Sequence, residues 1–221
     1  MSRIEYCRSE ILTHAIKDTK EWSAPPNVPS YDKKRSDQHW IDIFSKEKVN
    51  KLSEEDVREF FATFRLHRHS WDYDKVLSLV KVFSKTQNFD PVVDIPSFAI
   101  KLKVANKLQR TATSAASKLA NFIFPNDHVY IWDTLAREAV NSRFKNDKQD
   151  KDYASFHQAC EKILKEEQQQ PDFQHAVKEL DYFFQNQAGP LANRSKISVN
   201  YIERRLLDKF LWAEGEFLKR K

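Results

Sequence analysis

Asp133 stands directly ahead of the run TLAREAV, at the end of the apolar stretch Val129 to Trp132. A carboxylate there reads as the N-cap of a restarting helix. Backbone N–H groups at a helix start hold such a carboxylate in place and keep it ionised. Chemically, a fixed carboxylate can stabilise positive charge developing on a substrate, and can orient or deprotonate an attacking water. The same residue can also be a cap and nothing more. Trp132 beside it offers a flat apolar surface.

Upstream, the polar run QRTATS (Gln109 to Ser114) opens a small-residue helix, and the free N–H groups of a helix start, with the hydroxyls of Thr111, Thr113 and Ser114, suit a phosphate. Lys107, Arg110 and Lys118 add positive charge. The simpler reading is an ordinary helix capped by Thr113 or Ser114. On a helical wheel Ala115, Ala116, Leu119, Ala120 and Ile123 share a face that admits close approach of another backbone, with Ser114, Ser117, Lys118 and Asn121 opposite. Aromatic pocket walls are offered by FATFRLHRHSWDYD (Phe61 to Asp74), with Phe64, His67, His69, Trp71 and Tyr73, and by Trp40; core packing competes for each. His67 and His69 do not share a helix face and lack a third ligand, so no metal site is expected. Arg194 and Lys196 are candidate backbone contacts for DNA, or part of a solvated loop.

The elements that must position these residues are helical. Val57, Phe60, Phe61 and Phe64 follow Ser53 at helical spacing, and Tyr73, Val76, Leu77, Val80 and Phe83 follow Asp72. Tyr153 to Leu164, Phe173 to Phe184 behind Pro171, and Tyr201 to Phe217 repeat the pattern. The last reads as a closing core helix with no chemistry. KEEQQQ (Lys165 to Gln170) reads as a frayed helix end. HVYIW, the best strand-like stretch, is too short to found a sheet. Connectors fall at 23–39, 86–97, 145–151 and 186–196. The expectation is an all-α fold, one domain over 1–221, with possible lobes at 40–145 and at 1–39 plus 146–221.

At 221 residues the chain is long enough for a real core, and 40% hydrophobic content argues against wholesale disorder. Only 2 glycines, Gly189 and Gly215, count against glycine-rich phosphate loops and dinucleotide turns. Cys7 and Cys160 have no metal spacing and read as buried thiols of a reducing compartment. With neither a membrane span nor a signal peptide in view, a cytoplasmic protein is expected. The net charge of +5 permits a polyanionic partner without demanding one.

These residues carry a resemblance. SAAS (Ser114 to Ser117), followed by an apolar run and then Asp133, 19 positions after Ser114, resembles the helix-hairpin-helix DNA glycosylase superfamily over about 35 residues, Leu102 to Ala136. In that family a hairpin leads into a helix, and a catalytic aspartate caps a later one. The resemblance implies a DNA glycosylase with Asp133 catalytic, no cofactor, and double-stranded DNA with a flipped base as partner. Serine stands where lyase-competent members carry lysine, which implies a monofunctional enzyme using water. Lys118, one turn on, leans back toward the same spot and offers a Schiff-base alternative. The family's hairpin glycines correspond to Arg110 and Ala112, so the backbone must avoid positive φ there or bear strain. Hypermodified phage bases are among the substrates this departure admits, which would make the role one of defence. The competing readings are a non-catalytic nucleic-acid-binding protein and a helical adaptor in which Asp133 is only a cap.

Overall fold

Helix-forming periodicity runs through almost every segment, and a computed structural model of the chain realises it as ten α-helices among the described residues, with no strand among them. Described are residues 3–23, 37–66, 70–144, 149–186 and 198–220, with backbone alone at 3–7, 22 and 23. His67, His69, Arg194 and Lys196 therefore lie outside the described residues, as does the side chain of Cys7.

In chain order the helices are α1 Arg3–Ser23, α2 Asp37–Ile43, α3 Glu54–Thr63, α4 Tyr73–Phe83 and α5 Pro91–Ala105. There follow α6 Thr113–Ile123, α7 Thr134–Arg143, α8 Tyr153–Glu167, α9 Pro171–Asn186 and α10 Val199–Lys219. Local chemistry sets most of the starts. Ser53 and Asp56 form a reciprocal capping box on α3, while Asp72, Asp90, Asp152 and Ser198 each accept a backbone N–H at the head of α4, α5, α8 and α10. α3 and α5 end without glycine. Arg65 and Lys107 turn into the left-handed region at φ 54° and 53°, and the next N–H closes back over each helix end, Leu66 to the Phe61 carbonyl and Leu108 to the Lys103 carbonyl. The turn after α5 is thus made by Lys107. Arg110 and Ala112 stay out of positive φ, so the strain anticipated at the hairpin is avoided.

One contiguous apolar core runs from Leu12 to Leu211. α10 lies through it, packed chiefly on α7 and α1, while α5 packs on α6. α6 is buried nearly all round: Ser117 and Asn121, placed on its outer face by the wheel, are both buried. Each has its partner, Ser117 with the Trp132 N–H and Asn121 with the Tyr201 hydroxyl. Glu167 also departs from expectation. α8 does end there, but the carboxylate is buried between the guanidinium groups of Arg8 and Arg143 rather than frayed.

Candidate functional site at the start of helix α7

The segment before Asp133 is neither helix nor strand; the Val129 and Asp133 N–H groups turn back onto the Asp127 and Ile131 carbonyls, and side chains meet other polar backbone groups. The Tyr153 hydroxyl donates to the Tyr130 carbonyl at 2.9 Å, His157 Nε2 meets the His128 carbonyl at 2.6 Å, and the Trp132 N–H donates to Ser117 Oγ at 2.9 Å. Tyr130 adds a bond from its own hydroxyl to Glu161 at 2.7 Å. The segment is thereby tied to α6 and α8, and it delivers Asp133 to one place. Ser117 is the tie to α6. Replacing it with alanine strands the Trp132 N–H in the interior, a loss of about 1–3 kcal/mol, read as a lower denaturant midpoint; an unchanged midpoint would show that the tie carries no stability.

Asp133 has extended backbone angles (φ −113°, ψ 151°), and its Oδ1 accepts the Leu135 N–H at 3.0 Å, as expected of an N-cap. Its other oxygen, Oδ2, lies 3.8 Å from the Lys118 ammonium. The carboxylate side chain remains 28% exposed and the lysine 13%, so the pair sits at the edge of the interior and opens outward on the aspartate side. Lys118 Nζ also donates to the Phe64 carbonyl, at 3.4 Å, at the C-terminal end of α3. Burial lowers the pKa of this amine, and the negative charge of Asp133 partly restores it.

Behind the pair lies a charged layer on α10. Arg205, buried, forks onto both oxygens of the fully buried Asp37 at 2.6 and 3.1 Å and onto Asp208 at 2.6 Å. Burial raises the pKa of Asp208, with the charges of Asp133 and Lys118 both acting on it. Lys209 is lowered to about 8, first by burial and then by Arg205. Its folded pKa lies below the ordinary lysine value, so the unfolded chain binds more protons between the two, and this lysine makes stability rise as pH goes from about 8 toward 10.5. Lys209→Met, which keeps the stem and removes the titrating group, is expected to flatten that rise in thermal melts between pH 8 and pH 10. An unchanged slope in the variant would contradict the lowered pKa.

The aromatic residues proposed as pocket walls fall elsewhere. Trp40 is wholly buried, its ring edge-on to Phe60 at 5.1 Å, and is a core residue rather than a stacking surface. Phe64 is buried against Phe60 and Phe122; only its carbonyl reaches the site. Trp71 packs edge-on to Phe61 and donates its indole N–H to the Leu66 carbonyl, while Tyr73 packs on Phe61 beneath Arg58. Their apolar area is better spent closing α3 against α4. Trp132 differs: half-buried beside Asp133, it packs edge-on to Phe156 and carries the Arg137 guanidinium 4.7 Å above its ring.

Of the candidate phosphate contacts, Lys107, Arg110 and Thr111 are exposed in the α5–α6 turn, with Thr113 and Ser114 half-buried in the first turn of α6. Neither hydroxyl caps that helix. The cap position is Ala112, and no side chain accepts a bond from the first turn. An alanine has no acceptor to give, so the α6 start keeps its donors. Arg205, Asp208 and Asp37 were not singled out in sequence; the pairing of Arg205 with Asp208 at i, i+3 on a core helix was the available sign.

No protein-family model matches the chain, and neither curated proteins nor solved structures give a significant match.

Proposed function

We propose that the chain is a DNA N-glycosylase that takes a modified or damaged base out of the duplex and hydrolyses its bond to deoxyribose, leaving an abasic site. The observation that carries this reading is the Lys118–Asp133 pair: a partly exposed carboxylate seated on a helix N-terminus, 3.8 Å from a largely buried amine. Breaking an N-glycosidic bond builds positive charge on the sugar, and a fixed carboxylate facing that charge lowers the barrier. Asp133 takes this role and orients the attacking water. Lys118 holds the carboxylate's far oxygen and adds a positive charge at the rim of the site.

The rest of the arrangement agrees with a duplex ligand. Lys107 and Arg110 project from the α5–α6 turn, next to a helix start with no side-chain cap, where phosphate is favoured by the helix dipole and free N–H groups. Trp132 lies beside Asp133, and a displaced base would stack on its ring in place of the Arg137 guanidinium now 4.7 Å above it. The base itself belongs to the modified or damaged class, and hypermodified phage DNA, with a defensive role, falls within it.

The test is a panel of duplex and single-stranded DNAs carrying normal, damaged and phage-type modified bases, incubated with the full chain, with released base read by mass. A free base of one class with matching alkali-labile sites supports the reading. No base released from any member at stoichiometric protein removes it.

A further inference from the structure

Helices α4 and α5 carry an apolar surface that the fold leaves uncovered. Four of the six large hydrophobic side chains exposed among the described residues sit on this one pair: Val82 (67%), Val93 (61%), Ile100 (56%) and Val104 (71%). On α5, Val93, Ile100 and Val104 recur at i, i+7 and i+11 and so form one stripe. The opposite side of α5, with Ile95, Phe98, Ala99 and Leu102, is the one buried in the core. This helix is therefore apolar on both faces, the pattern of an element with neighbours all round. α4 packs beside it, and next to the stripe a shallow groove between the two helices is lined by Leu79, Val82, Thr86, Asp94, Ser97 and Lys101. Scattered apolar residues are ordinary on a surface; a contiguous stripe along a groove marks an interface.

The charge around the stripe is mainly positive, with Asp94 the one acidic residue in the groove lining. Lys85, Lys101 and Lys103 flank it, and none has an ion pair among the described residues. Asp90 and Asp94 keep their charge at the start of α5, where Asp90 accepts the Val92 N–H and Asp94 accepts the Asp90 N–H. A second copy of the chain laid on this face would bring together more lysines than the two Asp94 carboxylates could pair. Duplex DNA would meet the lysines but leave the valines and the isoleucine against phosphate and water, with nothing gained from their burial. The geometry points to a protein partner: an amphipathic helix whose apolar edge lies in the α4–α5 groove and whose flanks carry glutamate or aspartate. Apolar burial supplies the attraction, and the lysines fix orientation and exclude basic partners.

The probe is a labelled synthetic helical peptide with leucines at i, i+3, i+4 and i+7 and glutamates on both flanks, compared with its lysine-flanked counterpart by fluorescence anisotropy on the full chain. The acidic peptide is expected to bind at least about tenfold more tightly, and to weaken as salt rises. Val104→Glu and Ile100→Glu each lower that affinity at least about tenfold. Both side chains are exposed, so both variants keep the wild-type circular dichroism and Tm. Lys101→Glu reduces the preference for the acidic peptide over the basic one. The proposal is overturned by equal binding of the two peptides, by no binding of either, or by undiminished binding in Val104→Glu. It is equally overturned if sedimentation shows a dimer that Val104→Glu dissociates, or if duplex DNA displaces the acidic peptide. None of these outcomes depends on glycosylase activity, which the base-release panel reads separately.

Discussion

Asp133→Asn is expected to keep the fold and lose base excision by about two to three orders of magnitude in single-turnover rate. Asparagine caps a helix about as well as aspartate, and its side-chain oxygen can still accept the Leu135 N–H now bonded at 3.0 Å. A change in stability below about 1 kcal/mol follows. What the substitution removes is charge. The neutral amide cannot offset an oxocarbenium-like sugar, and it leaves Lys118 without the carboxylate that partly restores its pKa against burial. That amine then loses its proton more readily than in the wild type, so the variant loses both charges of the pair at alkaline pH. The measurement is formation of alkali-labile sites on whichever duplex the base panel identifies, with Tm and DNA affinity taken alongside. Retained affinity with lost cleavage assigns Asp133 to the chemical step. Wild-type cleavage by the variant would return Asp133 to the role of a cap. Loss of DNA binding together with cleavage would place the residue in ligand contact.

Several elements of the fold were legible because they announced themselves twice, by period and by cap; α5 was not, since Pro91 and Pro96 at its start made its first half read as a connector. Val57 to Phe64 behind Ser53, and Tyr73 to Phe83 behind Asp72, give both signals, and both helices form where the spacing puts them. Asp133 was readable for the same reason: the residue before a helical pattern is constrained by local geometry alone. What could not be read was which side of an aromatic residue faces outward. Trp40 and Phe64 have the chemistry of pocket walls, yet the space between α2, α3 and α6 takes them both into the core. α6 failed similarly. Its wheel has a polar side, but Ser117 and Asn121 meet partners on the 129–132 segment and on α10, which are distant in sequence. The charged layer of α10 was hidden by its setting. Arg205 and Asp208 look like solvated residues on an amphipathic helix, and only Asp37, 168 positions before Arg205, shows that they face inward.

Gly215→Ala separates two physical accounts of α10 by the sign of its effect. Gly215 lies inside this helix, where helix propensity alone favours alanine by about 1 kcal/mol. The surroundings oppose it. A Cβ at this position would stand 2.2 Å from the Leu135 carbonyl oxygen and 2.9 Å from the Leu135 Cα, and these are backbone atoms of the first turn of α7. Backbone cannot swing aside as a side chain can, so α10 and the start of α7 must separate. Overpacking of this kind costs about 1–3 kcal/mol or more, which outweighs the propensity gain. A chain of this size shifts in Tm by about 2–4 °C per kcal/mol, so a net fall of several degrees is expected. The consequence for the site is more specific. The Leu135 N–H holds Asp133 Oδ1, and the displaced residue is Leu135 itself. The carboxylate therefore moves relative to Lys118, and excision falls at least about tenfold at temperatures where the variant is still fully folded. A rise in Tm would mean that the close approach of α10 to α7 is absent in solution. A fall in Tm with unchanged excision in the folded variant would uncouple that contact from the placement of Asp133.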